Sequence, residues 1–426
     1  MHSIVDVDRH GTSMAVLCLD LDHFKEVNDI LGHAAGDNLL CQASARMTAT
    51  LRSNDMLARL GGDEFAIVQR NIGSPLESSV LAQRLIETLS APFDLDGNEV
   101  LIGVSIGIST RNPGDDTDGE TLLQHSDMAL YGAKNNGRGT FRHFEQEMND
   151  ALIARKKVEV SLRRAISENE LELHYQPQVD LQTNTIKGVE ALLRWNHKTD
   201  GLISPDQFIP LAEECGLIVS IGDWVIREAC RQAKDWPDLT FAVNVSPIQF
   251  RQGNLVKTVR DALATENVDP KRLEIEITEG VLLSHTDETI STLKELQELG
   301  IKIAMDDFGT GYSSLSYLRR FPFDKIKIDK SFTTDLGTCI AADSIIEAVI
   351  KLGASMGMTS NAEGVETIEQ ANLLRDQGCK EVQGFHFSKP MPSASICELL
   401  ADWEWDTFQK DNEKYYVLNA AETLKG

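Results

Sequence analysis

Apolar runs of strand length, each followed by an amphipathic stretch, set the pattern of this chain. Met14–Leu21 (MAVLCLDL) predicts a buried strand that stops at Asp20-Leu21-Asp22. Phe24, Val27, Ile30 and Leu31 then share a helical face, and Asp37, after Gly36, stands where it would cap a second helix bearing Leu39, Leu40, Ala43 and Met47. Leu57–Val68 (LARLGGDEFAIV) predicts two strands joined by a tight turn at Gly61-Gly62. Between Gly139 and Pro177 there is neither glycine nor proline, and Phe144, Met148, Leu152, Val158, Leu162 and Ile166 recur at roughly helical spacing, which predicts one long helix joining two domains near residue 150, or else a helix wholly of the second domain.

From Leu171 onward strands and helices alternate. Strands are predicted at Leu171–Val179, Ile186–Arg194, Thr240–Val245, Arg272–Thr278, Lys302–Met305, Lys325–Ile328, Thr359–Ala362 and Glu381–Phe387. Amphipathic helices fit between most of them, among them Asp206–Cys215, Asp223–Asp235 and Asp287–Leu299. Eight such repeats over about 250 residues predict a (β/α)8 barrel, whose chemistry belongs at the C-terminal ends of its strands.

Composition narrows the class of protein. The 426 residues exceed one ordinary domain of roughly 100–200 residues, and 42% apolar with 25% charged residues is the balance of a soluble globular protein. No run of about 18 apolar residues is present to span a membrane, and MHSIVDVDRHG lacks the basic and apolar regions of a secretory signal. A net charge of −25, spread along the chain, argues against nucleic acid as a partner and suits anionic substrates held through divalent metal. The seven cysteines are scattered and form no CxxC, so they predict reduced thiols in the cytoplasm.

Paired acids then mark the candidate chemistry. Asp63-Glu64 follow the Gly61-Gly62 turn, and Asp306-Asp307 end a predicted strand ahead of Phe308-Gly309-Thr310-Gly311. Adjacent carboxylates repel unless a cation lies between them. In the second half Glu190, Glu276, Asp306, Asp307, Glu363, Gln176, Asn244, Gln383 and Lys327 all fall at or near predicted strand ends. Oxygen ligands without histidine point to Mg2+ or Mn2+, and the convergence to a two-metal hydrolase of phosphate esters.

DLDHFKEVNDILGHAAGD (Asp20–Asp37) followed by RLGGDEF (Arg59–Phe65) resembles the GGDEF family of diguanylate cyclases, from about Met14 to Phe144. The resemblance implies a nucleotidyl-cyclase-like α+β domain that joins two GTP molecules, one per subunit, into cyclic di-GMP, and hence a homodimer. It implies that Asp20 and Asp63 hold Mg2+, and that Glu64 serves the metal or takes the proton of the attacking 3′-hydroxyl. Asn28 and Asp37 would read guanine, while Lys25, Lys134 and Arg138 would hold the phosphates. Arg52-Ser53-Asn54-Asp55 resembles the family's RxxD inhibitory site. Ahead of its first strand the family carries a helix and a DxLTGLxNR-like segment, which nothing before Met14 resembles.

EALLRW (Glu190–Trp195), with YQPQVD, NVSPIQF, LEIEITE, DDFGTGYSSL, KIDKSF, AEGVE and QGFHFSKP, resembles the EAL family of cyclic di-GMP phosphodiesterases over about Val158–Leu400. The resemblance implies a TIM-like barrel with two Mg2+ or Mn2+ ions. Glu190, Asn244, Glu276 and Asp306 would hold one, and Asp306 with Asp307 the other. Lys327 would steer the attacking water and Glu363 would bind metal or act as general base. Gln176, Arg194 and Gln383 would contact substrate, and Glu279 would brace the loop after Asp306-Asp307. Asn361 departs from the apolar residue usual there.

The organisation expected is therefore a GGDEF domain over residues 1–150, short at its N-terminus, an EAL barrel over 151–405, and an aromatic tail over 406–426 that packs on the barrel as a helix. The function expected is hydrolysis of cyclic di-GMP to pGpG, with GTP bound by the first domain as a regulator. Net synthesis of cyclic di-GMP and a non-catalytic nucleotide receptor are the rivals; a receptor should have lost metal-binding acids, and none is lost.

Overall fold

In the computed structural model, which describes residues 11–283, 286–309, 321 and 323–403, the chain divides into two units, Met1–Lys157 and Val158–Gly426. The first runs β1 (Ser13–Asp22), α1 (Phe24–Leu31), α2 (His33–Thr50), β2 (Met56–Gly61), β3 (Glu64–Ile72), α3 (Pro75–Leu89), β4 (Phe93–Leu95), β5 (Asn98–Val100), β6 (Gly103–Arg111), α4 (Gly119–Asn135), β7 (Phe141–His143) and the first part of α5 (Gln146–Ala165), whose remainder belongs to the second unit. Its main sheet has the order β2-β3-β1-β6-β7, antiparallel except for the β6–β7 pair. β1 is central and apolar on both faces, because successive strand residues point opposite ways. Ala15, Leu17, Leu19 and Leu21 enter the larger core, whereas Met14 and Val16 pack with Leu122 of α4. Gly107 lets α4 lie directly on β6: a Cβ there would come within 2.0 Å of the Ser126 carbonyl.

Two local expectations are corrected in this unit. Gly32, at φ 85°, turns the chain so that α2 already begins at His33, and Asp37 is an exposed residue inside the helix rather than its cap. The β2–β3 turn is Gly62-Asp63, since Gly61 pairs with Glu64 and Gly62 takes the positive φ of 52°.

The second unit continues with β8 (Leu171–Asp180), β9 (Thr185–His197), β10 (Gly201–Ile203), α6 (Pro205–Glu214), α7 (Leu217–Gln232), β11 (Thr240–Asn244), α8 (Pro247–Gln252), α9 (Leu255–Glu266), β12 (Leu273–Thr278), α10 (Glu279–Leu283), α11 (Thr286–Glu298), β13 (Lys302–Phe308), β14 (Lys325–Ile328), α12 (Lys330–Thr334), α13 (Ile340–Ser355), β15 (Thr359–Ala362), α14 (Ile368–Asp376), β16 (Glu381–Val382) and α15 (Ser393–Ala401). The sheet order β9-β11-β12-β13-β14-β15-β16-β8 closes where β8 meets β9, giving the expected eight-stranded barrel. Outward residues such as Val189, Phe241, Ile275, Ile303, Ile326 and Ile328 bury against the helices.

One strand departs from the simple repeat. β8 runs antiparallel to both β9 and β16. Only Leu181–Asn184 link it to β9, a connection that makes a hairpin but is far too short for a parallel crossover. Gln176 therefore reaches the mouth from mid-strand, opposite Glu190, and not from a strand's C-terminal end. The last predicted strand is also shorter than expected, ending at Val382. α5 is a single helix whose last turns place Leu162 and Ala165 in the barrel core. The aromatic tail over 406–426 lies outside the described residues; Trp403, just ahead of it, donates to the Asn184 carbonyl at 3.0 Å.

Candidate active site at the barrel mouth

The cluster is built around Lys327, fully buried on β14. Its ammonium lies 2.7 Å from Glu276, 2.7 Å from Glu363, 3.2 Å from Asp306 and 3.7 Å from Glu190. Glu190 also accepts from Asn244 Nδ2 and from Gln383 Nε2, each at 2.6 Å. Gln383 Nε2 donates to Gln176 Oε1 at 2.8 Å, and Gln176 donates to the Ser388 carbonyl at 3.0 Å. Eight of the residues picked out in the sequence thus converge on one mouth: Gln176, Glu190, Asn244, Glu276, Asp306, Lys327, Glu363 and Gln383.

Asp307 joins them by a local irregularity. Neighbouring residues of a regular strand face opposite sides, so Asp306 and Asp307 could not both face the mouth. β13 does not end before them, as expected, but continues to Phe308 through a bulge. Three residues pass from Met305 to Phe308 while two pass from Ile326 to Ile328, and Asp307 takes φ 53°. Carboxylate oxygens of Asp306, Asp307 and Glu363 consequently lie within 4.8 Å of one another. Left-handed backbone at a non-glycine residue is strained and persists where its surroundings impose it. Glu279 Oε1 accepts from Gly309 N at 3.0 Å, holding the residue that follows β13; the rest of the segment that Glu279 was expected to brace, from Thr310 on, lies outside the described residues. Arg194 is half-buried and donates to the Leu193 carbonyl at 2.9 Å.

The charges are unbalanced. Burial pushes the Glu276 carboxyl well above the usual carboxylate range, with Glu190 and Asp306 adding to the effect of burial. Burial is likewise the main reason Glu363 is raised to about 7, with Asp306 and Glu190 reinforcing it against Lys327. Asp307 is raised by burial and by Asp306. At Glu190 burial is outweighed by Lys327, Gln383 and Asn244 together, which hold it below its ordinary value. The ammonium of Lys327 is correspondingly held well above normal: burial opposes its charge, and Asp306 and Glu190 lead the carboxylates that overcome it. Among the described residues, Glu276 Oε1 is buried without a hydrogen-bond partner. Surplus carboxylates, an unpartnered buried oxygen and oxygen-only donors fit divalent magnesium or manganese.

The first unit carries a smaller acidic cluster. Asp20 lies opposite Glu64 across β1–β3, and its carboxylate pairs with Lys134 at 2.7 Å. Burial raises the Asp20 carboxyl, Lys134 opposes that, and Asp63 and Asp22 add to it. Asp22, absent from the expected set, accepts from Ser105 Oγ at 2.7 Å and Gly139 N at 3.1 Å. Asn28 lies against Gly36, where a Cβ would meet its Oδ1 at 2.0 Å, while Lys25, Asp37 and Arg138 are exposed. Asp55 accepts from Arg52 N at 3.0 Å and braces the turn, and the Arg52 guanidinium pairs with Glu77 at 2.9 Å.

Four polar residues inside the barrel were missed in the sequence: Gln178, Glu274, Lys325 and Glu381. Each lies two residues from a recognised one, Gln178 after Gln176 in QPQ and the others before theirs in EIE, KIK and EVQ, so each shares its inward face.

A family model described as "EAL domain" matches residues 159–390, and one described as "Diguanylate cyclase, GGDEF domain" matches residues 2–140. A Caulobacter vibrioides protein called "Uncharacterized signaling protein" is 47% identical over 388 residues, covering 91% of this chain and 48% of that protein. A Pseudomonas aeruginosa "Bifunctional diguanylate cyclase/cyclic di-GMP phosphodiesterase MucR" is 41% identical over 398 residues, 92% of this chain and 58% of that protein. A solved structure described as "PaMucR Phosphodiesterase, c-di-GMP complex" matches with a TM-score of 0.54 and 43% identity, over 56% of this chain and 99% of that one. The chain spans about half the length of the curated relatives it matches.

Proposed function

The chain belongs to the EAL family and carries a GGDEF domain ahead of its barrel, and on that premise we propose that the barrel hydrolyses cyclic di-GMP to the linear dinucleotide pGpG. The observation that carries this is the mouth itself, where five carboxylates, three amides and a buried lysine gather. Glu190, Asn244, Glu276, Asp306 and Asp307 would hold two Mg2+ or Mn2+ ions. Bound there, the ions supply charge neutralisation and Lewis-acid polarisation of the phosphodiester. Lys327 orients the attacking water from the floor of the site. Glu363, its carboxyl raised to about 7, takes that water's proton near neutral pH. Gln176, Arg194 and Gln383 orient the substrate, and Glu279 holds Gly309, two residues beyond Asp307.

In the first unit Asp20, Asp63 and Glu64 would hold the metal of a GTP bound through Asn28, Asp37, Lys25, Lys134 and Arg138. GTP there regulates the barrel, and Arg52 with Asp55 takes up cyclic di-GMP. The intact Asp20, Asp63 and Glu64 also favour a second reading, residual cyclase activity in a homodimer. Among the described residues no helix is long and apolar enough to cross a membrane. The exposed thiols of Cys41, Cys339 and Cys397 suit a reducing cytoplasm.

Glu190→Ala tests the main proposal. Losing a positioned electrostatic group costs about 10²–10³ in rate. A folded variant that hydrolyses cyclic di-GMP at the wild-type rate would overturn the assignment.

A further inference from the structure

Beneath the mouth the barrel holds a second buried polar layer that the proposed reaction does not use. Lys325 is 4% exposed, and its ammonium lies 2.8 Å from Glu274 and 2.7 Å from Glu381. It also donates to Gln178 Oε1 at 3.2 Å. Gln178, 1% exposed, donates from Nε2 to Gln383 Oε1 at 3.3 Å. Gln383 then donates from its own Nε2 to Glu190 Oε2 at 2.6 Å and to Gln176 Oε1 at 2.8 Å. A continuous column of hydrogen bonds therefore runs from the lower layer into the mouth.

Donor and acceptor chemistry fixes the sense of that column. A lysine ammonium only donates, so Gln178 must turn its oxygen toward Lys325 and its nitrogen toward Gln383. Gln383 must then receive on its oxygen, which leaves its nitrogen for Glu190. The opposite orientation would set an amide oxygen against a carboxylate at hydrogen-bond distance in a dry interior, where unpaired polar groups are costly.

We propose that Gln178 and Lys325 are positioning residues for the hydrolytic site, setting the amide orientation of Gln383 and through it the placement of Glu190 toward divalent metal. The proposal rests on the phosphodiesterase function proposed above. Partners one shell out from metal ligands typically change metal affinity or activity by about 10–100-fold.

The test uses the full chain in an Asp63→Ala background, which removes a first-unit acid from the metal titration. Gln178→Glu keeps the shape and still satisfies Lys325, but presents only acceptors to Gln383 and so turns that amide the wrong way. Gln178→Met keeps the volume and leaves Gln383 free to turn. Mn2+ binding without nucleotide is measured by electron paramagnetic resonance, and kcat and KM are measured with cyclic di-GMP. Gln178→Glu should raise the Mn2+ dissociation constant about 10–100-fold and lower kcat by a similar factor. Gln178→Met should change both in the same direction by less, and carries the test if Gln178→Glu does not fold. In a Gln383→Ala background either change should add less than about twofold, because the route through Gln383 is already gone. Wild-type Mn2+ affinity in folded Gln178→Glu, or an undiminished effect in the Gln383→Ala background, would overturn the proposal. If Mn2+ binding follows the expected pattern but cyclic di-GMP is not hydrolysed, the positioning role stands and the phosphodiesterase function fails.

Discussion

Lys327→Met should separate the charge balance of the mouth from its packing. Methionine fills most of the lysine's volume but leaves Glu190, Glu276, Asp306 and Glu363 without the ammonium they share at 2.7–3.7 Å. Removing one partner of a buried ion pair typically costs about 3–5 kcal/mol. Glu276 and Glu363 are already held up by burial and take protons readily, which absorbs part of that cost. The expected loss in chelator is therefore near the lower bound, about 3 kcal/mol. Magnesium at a hundred times its dissociation constant stabilises a folded state by about 2.7 kcal/mol. In the variant the metal also neutralises carboxylates that the lysine otherwise serves, so Mg2+ should narrow the gap to the wild type. Urea unfolding followed by tryptophan fluorescence gives both numbers, because all five tryptophans lie in the second unit and report the barrel alone. A variant as stable as the wild type in chelator, or a gap that Mg2+ leaves unchanged or widens, would refute the charge-balance account.

Hydrolysis should require Mg2+ or Mn2+ and cease in chelator, whereas Ca2+, with its larger and looser shell, should support substrate binding with little turnover; full activity in excess chelator would exclude this metal role. Asn361 is fully buried and, among the described residues, neither amide atom is partnered, so Asn361→Val should raise barrel stability by about 1–3 kcal/mol, and an unchanged or lower urea midpoint would show that its amide is satisfied. GTP should shift the rate of cyclic di-GMP hydrolysis by a coupling of about 1–3 kcal/mol, and Asp63→Ala should remove the shift. A flat GTP titration with binding demonstrated would make the two units energetically independent.

What the sequence disclosed, and what it did not, follows from how each residue reaches the site. Residues on regular parallel strands, such as Glu190, Glu276 and Lys327, could be placed by alternation and strand ends alone. Asp307 could not, because its contribution depends on a one-residue bulge and a left-handed backbone that no local pattern announces. Gln176 was assigned to the mouth under a rule that β8, running backwards, does not obey. The lower layer was overlooked although its signal was present. Glu274 and Lys325 alternate with Ile275 and Ile326, which in a strand inside a barrel signifies a polar interior. In the first unit the hairpin was legible in RLGGDEF, but the start of α2 depended on Gly32 rather than on Asp37.

We propose that this chain degrades cyclic di-GMP rather than making it. A cyclase must bring two GTP-loaded domains face to face, and a small misplacement in such an alignment can cost about 10² in rate. The barrel gathers its whole cluster within one chain. The direct measurement incubates the chain with Mg2+ and either nucleotide, separates products chromatographically, and repeats the GTP arm with Glu190→Ala so that any product survives. The expected products are pGpG from cyclic di-GMP and little cyclic di-GMP from GTP in either form. Cyclic di-GMP accumulating from GTP faster than the wild type consumes it would contradict the account.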